Sequence, residues 1–184
     1  MRLFAALPLP APAQAEFSQV LRTLQQSGWP VRWVQEGSAH LTLKFYGEVL
    51  PERLDVVAEA VQRAARGTHA MAMHFTGIGV FPDHIRPRVL WLGVAAPAAL
   101  ELLKDRVERA SESIGFPPEG VPFHSHITLG RMRDGQRFPP GAIQRSEVAP
   151  AGASFVAREV VLFESELTTA GPRYVPRLTV ELGG

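Results

Sequence analysis

The chain has no cysteine. Disulfides, thiolate nucleophiles and cysteine-ligated zinc are therefore excluded. Lysine is nearly absent as well: Lys44 and Lys104 are the only two among 19 basic residues, and the rest are arginine. A guanidinium is the better fork for phosphate, but so general a bias reads first as genome composition. Excess charge of one sign is also missing. The formal net charge is +1, so no bulk field points to nucleic acid, and any such contact has to come from a local patch. No apolar run approaches the roughly 18 residues of a membrane span. The opening MRLFAALPLP has one basic residue, a short apolar run and no clear cleavage site, which reads as a buried strand rather than a signal peptide. A cytoplasmic protein is expected. Low-complexity segments and short-period repeats are absent.

What remains is an ordinary globular composition, 46% apolar and 20% charged over 184 residues. That length suits one domain, or one domain of two similar lobes. Residues 2–8 read as a strand. Phe17, Val20, Leu21 and Leu24 make the apolar stripe of a helix over 11–27, closed by Gly28. WPVRWV and HLTLKFYG read as two strands joined by a turn around Glu36 and Gly37. Pro51 opens a helix whose stripe is Leu54, Val57, Ala58 and Val61. Strands follow over 70–80 and 88–94, then a helix over 97–114, then a strand around SHITLGR. Residues 132–152 read as a loop with one short helix, and SFVAREVVLFESEL and RYVPRLTVEL as closing strands. An α+β fold of two related lobes is the expected class.

One tetrapeptide pattern stands out. His-x-Thr-Leu occurs at residues 40–43 and again at 126–129. A shuffled chain of this composition would hold about 0.03 copies. Side chains alternate along a strand, so His40, Thr42 and Lys44 are expected on one face, with Leu41, Leu43 and Phe45 buried on the other. His126 and Thr128 share a face in the same way. Two such strands side by side offer two imidazoles and two hydroxyls to one cleft. Acid–base attack on a phosphodiester suits that set: a neutral His takes a proton from the nucleophile and a protonated His gives one to the leaving oxygen. The Thr hydroxyls can hold nonbridging phosphate oxygens, and no cofactor or metal is required.

A single His-x-Thr on a strand is most often a solvated face; two copies with the same parity and the same Leu are not. His69, His74 and His84 have no partner pattern. His124 and His126 form a His-x-His pair that could bind metal, but the chain has only four Asp, and neither motif interleaves an acid with its histidine. Arg131 follows the second motif as a phosphate or base contact. Strict alternation sets it opposite His126 unless Gly130 allows a bulge. Tyr46 and Phe123 are candidates to stack a nucleobase, whereas the parity of Phe45 assigns it to the core.

Paired His-x-Thr-x motifs are the mark of the two-histidine (2H) phosphoesterase superfamily. Within it the chain resembles the RNA 2′,3′-cyclic phosphodiesterases, historically called 2′-5′ RNA ligases. The likeness runs through MRLFAALPLP, VRWVQEGSAHLTLKFYGEV, GIGVFPDHIRPRVLWLGV, FHSHITLGR and LFESELTTAGPRYVP. It implies a bilobal α+β domain spanning 1–184, with two antiparallel sheets about a pseudo-twofold axis, helices outside and a central cleft, and one motif strand in each half. It also implies His40 as proton donor, His126 as proton acceptor, and Thr42 and Thr128 as phosphate-binding hydroxyls. The implied reaction opens RNA 2′,3′-cyclic phosphate ends, or cyclic nucleotides, to 2′-phosphomonoesters, with ATP-independent 2′-5′ joining as a related activity. A monomer with no obligatory protein partner is expected. The alternative is a noncatalytic RNA-end binding module, which would not need two titratable groups.

Overall fold

The structure is a computed structural model, and it describes residues 1–139, 141–146, 148–169 and 171–183. Nine strands and three α-helices are present among these residues. The fold class is α+β with two antiparallel sheets, as expected from the sequence. The first sheet has the order β3-β1-β8-β9, from His40–Glu48, Arg2–Pro8, Glu159–Thr168 and Gly171–Glu181. The second has the order β2-β6-β5-β4-β7, from Val31–Trp33, His126–Met132, Val89–Ala95, Met71–Phe81 and Phe155–Ala157.

The helices form where apolar spacing predicts them. α1 (Ala11–Gln25) carries Pro12 in its first turn, where a missing N–H leaves no helical bond unmade. It buries Phe17, Val20, Leu21 and Leu24, and Gly28 follows it at φ 69°. α2 (Leu54–Ala65) follows a 3₁₀ turn over Pro51–Arg53 and buries Val57, Ala60, Val61, Ala64 and Ala65. Its buried face is thus rotated from the expected stripe, leaving Leu54 and Ala58 partly covered. α3 (Ala98–Glu112) buries Leu100, Leu103 and Val107. One apolar core runs through residues of both sheets and all three helices. Each large side chain sealed in it contributes about 1.5–3 kcal/mol relative to exposure.

Three expectations change. The turn around Glu36 and Gly37 does not close a hairpin: β2 pairs with β6, whereas β3 pairs with β1. The reason is that β2 is short and its apolar neighbours lie in the second sheet, so the turn carries the chain between sheets. SFVAREVVLFESEL likewise splits after Ala157, with β7 on β4 and β8 on β1. Residues 141–145 are turns, and the described part of 132–152 contains no helix. Pro140 and Glu147 lie outside the described residues.

Candidate active site

Each motif begins a strand, and each strand breaks its alternation just after the threonine. Along β3 the pairs with β1 run Pro8 with His40, Leu7 with Leu41 and Ala6 with Thr42, then Ala5 with Lys44 and Phe4 with Phe45. Leu43 is passed over. Along β6 the pairs with β5 run Gly93 with His126, Leu92 with Ile127 and Trp91 with Thr128, then Leu90 with Gly130 and Val89 with Arg131. Leu129 is passed over. In both strands two residues oppose one, which is a β-bulge, and the side chains beyond it change face.

The bulges overturn two expectations of strict alternation. Lys44 points inward rather than along the His40 face and is 2% exposed. Its Nζ donates to Glu108 Oε2 and to the Pro117 carbonyl, both at 2.6 Å. Phe45, assigned to the core by parity, is 56% exposed and lines the cleft beside His40 and Thr42. At the equivalent place in the second motif, the Gly130 bulge brings Arg131 onto the Thr128 side. Glycine is needed there for space: a Cβ on Gly130 would lie 2.4 Å from Val31 and 2.8 Å from the Arg32 carbonyl of β2.

The two imidazoles are held in the same way. His40 Nδ1 lies 2.8 Å from the Ser38 carbonyl, and His126 Nδ1 lies 2.6 Å from the His124 carbonyl. A carbonyl oxygen only accepts, so each Nδ1 carries the proton. In the neutral ring Nε2 is then the free base, and in the charged ring Nε2–H is the available acid. Aromatic rings pack around both. His40 stands 4.7 Å from Phe4 and edge-on to Tyr174 at 5.1 Å, and His126 stands edge-on to Phe81 at 4.9 Å. Burial among these rings lowers both imidazoles below the ordinary value of 6.5, while the carbonyl bonds oppose the shift. Charge on His126 lowers His40 further, and His124 and Arg131 do the same to His126.

A cleft of about 410 Å³ opens between the sheets. His40, Thr42 and Phe45 reach it from β3, Thr128 and Arg131 from β6, and Tyr174 from β9. Arg2 and Arg32 stand at its border. The His126 ring lies outside this wall, against Phe81 and Trp91, yet its strand neighbours Ile127 and Thr128 are part of it. So the structure gathers His40, Thr42, Thr128 and Arg131 around one space, and His126 begins the strand that brings Thr128 and Arg131 to it.

Other candidates fall away. Tyr46 is buried, with its hydroxyl 3.0 Å from Ser111 Oγ. Phe123 is partly buried against the core, with Lys104 Nζ 5.8 Å from its ring. His124 is exposed beside Trp91, and His69 bridges to Gly183 far along the chain. Sequence reasoning missed Phe4, Phe45, Tyr174 and Arg32. The readable signal for Phe45 was its place five residues after His40, matching Arg131 after His126.

The chain is similar to known proteins over nearly its whole length. A family model described as LigT like phosphoesterase matches residues 7–91 and again 92–174. A protein of Methanothermobacter thermautotrophicus named RNA 2′,3′-cyclic phosphodiesterase is 33% identical over 179 residues, 95% of this chain and 95% of that one. A protein of the same name from Aeropyrum pernix is 34% identical over 83% of this chain and 86% of its own length. The chain covers only 54% of a further relative of that name, from Geobacillus stearothermophilus, at 32% identity. Among crystal structures, a protein of Thermus thermophilus superposes with a TM-score of 0.82 at 29% identity, covering 100% of this chain and 99% of that one. Escherichia coli LigT complexed with 3′-AMP superposes with a TM-score of 0.78 at 26% identity, over 98% and 97%.

Proposed function

The chain belongs to the LigT-like phosphoesterase family, and from that premise we propose that it hydrolyses RNA 2′,3′-cyclic phosphate ends, or the corresponding cyclic nucleotides, to 2′-phosphomonoesters. The observation that carries this reading is the matched pair of Nδ1–carbonyl bonds, which leaves a free Nε2 on each of two histidines. Binding alone has no use for two imidazoles primed in the same tautomer.

In this scheme His126 Nε2 accepts a proton from water as the water oxygen bonds to phosphorus. The bond from phosphorus to the ribose 3′-oxygen breaks, and His40 Nε2–H protonates that oxygen. Donor and acceptor are assigned by likeness of motif order. Thr42 and Thr128 hold the nonbridging oxygens, and Arg131 balances charge that grows in the transition state. The lowered basicity of both rings favours the neutral base. The anionic phosphate supplies the field that restores a proton to the donor. Phe45 offers an exposed ring on which the terminal base can stack. If the 5′-hydroxyl of a second RNA end replaces water, the same steps join the strands through a 2′-5′ linkage.

The test is digestion of a nucleoside 2′,3′-cyclic phosphate with and without a chelator, followed by separation of the isomeric monophosphates. Turnover to the 2′-phosphate that survives chelation is expected. A mainly 3′-phosphate product would mean that the ribose 2′-oxygen leaves, and would overturn either the donor and acceptor roles or the 2′-phosphate reading. Tight binding without turnover would select the noncatalytic module.

A further inference from the structure

A second groove of about 390 Å³ begins where the cleft ends, and Arg131 belongs to both. Its walls are residues 85–88 and 131–137. Five guanidiniums line it, from Arg86, Arg88, Arg131, Arg133 and Arg137, against the single carboxylate of Asp134. That is a local excess of four positive charges in a chain whose formal net charge is +1. All five side chains are exposed, and none forms an ion pair among the described residues. Elsewhere Arg22, Arg173 and Arg177 pair with Glu36, Glu166 and Glu164. Asp83, three residues before Arg86, already accepts the N–H groups of Ile85 and Arg86 on its Oδ1.

Charge also builds up where the groove meets the cleft: Arg131 on β6 pairs directly across from Arg32 on β2, which lines the cleft and not the groove, and like charges directly opposite disfavour one another until an anion meets them. The groove is also held open by main-chain bonds: Arg88 N–H to the Phe81 carbonyl at 2.6 Å, Met132 N–H to the Arg88 carbonyl at 2.9 Å, and Arg133 N–H to the Pro30 carbonyl at 3.0 Å. The main chain that carries Arg88, Arg131 and Arg133 is therefore fixed before any ligand arrives. Ile85, 85% exposed at the rim, adds an apolar surface for a base.

We propose that this groove binds the phosphates of the RNA strand upstream of the cyclic end, so that the protein favours oligonucleotide ends over cyclic mononucleotides. Guanidinium forks suit successive phosphodiesters, and continuity through Arg131 gives the strand a path out of the cleft. The assignment rests on the phosphodiesterase reading above.

The test compares wild type with an Arg86→Gln, Arg88→Gln, Arg137→Gln triple variant. The substrates are a cyclic mononucleotide and single-stranded RNAs of two, four and eight residues ending in a 2′,3′-cyclic phosphate, each over a salt series. For wild type, kcat/KM should rise with length and fall with salt. The variant should lose about 10–100-fold on the longer RNAs, with a salt slope shallower by about two units, and keep its rate on the mononucleotide. Equal wild-type rates at every length, or equal losses on all substrates, would overturn the groove. If no cyclic phosphate is turned over, the phosphodiesterase reading fails, and direct binding of the same RNAs decides the groove by whether affinity grows with length and drops in the variant. Binding of polyglutamate as tight as that of RNA of equal charge would also overturn it.

Discussion

At the scale of single residues, the proposed chemistry rests on two imidazoles that can each be removed. His40→Ala and His126→Ala should each lower turnover by about 10²–10⁴, the usual worth of one acid or base. The double variant should lose far less than the product of the two, because the groups act as a unit. Near-normal activity in either single variant would end the paired mechanism. The pH profile carries a second expectation. Both rings are held below 6.5 by burial, and charge on His126 lowers His40 further. In the free protein the lowered basicity of both rings moves the state with one neutral and one charged ring toward acid pH. In the complex the phosphodiester anion favours the charged donor. The kcat/KM optimum should therefore be acidic relative to the kcat optimum, and both profiles should be bell-shaped. Measuring both profiles on a cyclic nucleotide checks the sign; a kcat/KM optimum above that of kcat would refute it. Stability follows the same sign. A histidine with a lowered folded value stabilises the native state above pH 6.5, and that contribution is lost as pH falls from 6.5 through the folded value.

At the scale of elements, the sequence was legible wherever one rule acted alone. The stripe of Phe17, Val20, Leu21 and Leu24 marked α1, and period-two alternation put His40 with Thr42 and His126 with Thr128. It misled at Lys44 and Phe45 because a bulge leaves no mark in hydropathy: a lysine followed by a phenylalanine on a strand reads as surface, then core. What reverses them is a partner 64 residues away, Glu108 on α3, which offers Lys44 a buried carboxylate. Gly130 was a visible hint in the second strand, whereas in the first only the five-residue offset of Phe45 from His40, matching that of Arg131 from His126, pointed the same way. The turn at Glu36 and Gly37 failed for a related reason, since local turn chemistry specifies a reversal but not which sheet receives the next strand. The bulge gives Phe45 a job that can be tested. Phe45→Ala should raise KM for a cyclic nucleotide by about 10-fold, the loss expected for one base–aromatic stack, while Tm stays within a degree or two because the ring is already exposed. A large drop in Tm with unchanged KM would return Phe45 to the structural role that parity first gave it.

At the scale of the whole molecule, the two halves are interlocked rather than side by side. The family model matches each half separately, yet the sheets do not divide at that boundary. β1 and β3 from the first half share a sheet with β8 and β9 from the end of the chain, while β2 crosses to pair with β6. Leu3, Leu41, Phe75, Leu92, Ile127 and Leu162 belong to one core. Opening either sheet therefore strips strands from both halves, and neither half keeps a complete sheet. The molecule should unfold in one cooperative transition, with the calorimetric enthalpy equal to the van't Hoff enthalpy. Because the cleft is walled by β3 from one sheet and β6 from the other, a nucleoside 2′-phosphate bound there should raise that single transition as a whole, by the amount its concentration and affinity dictate. Two resolved transitions, with the nucleotide shifting only one, would mean that the lobes fold as separate units and that the site belongs to one of them.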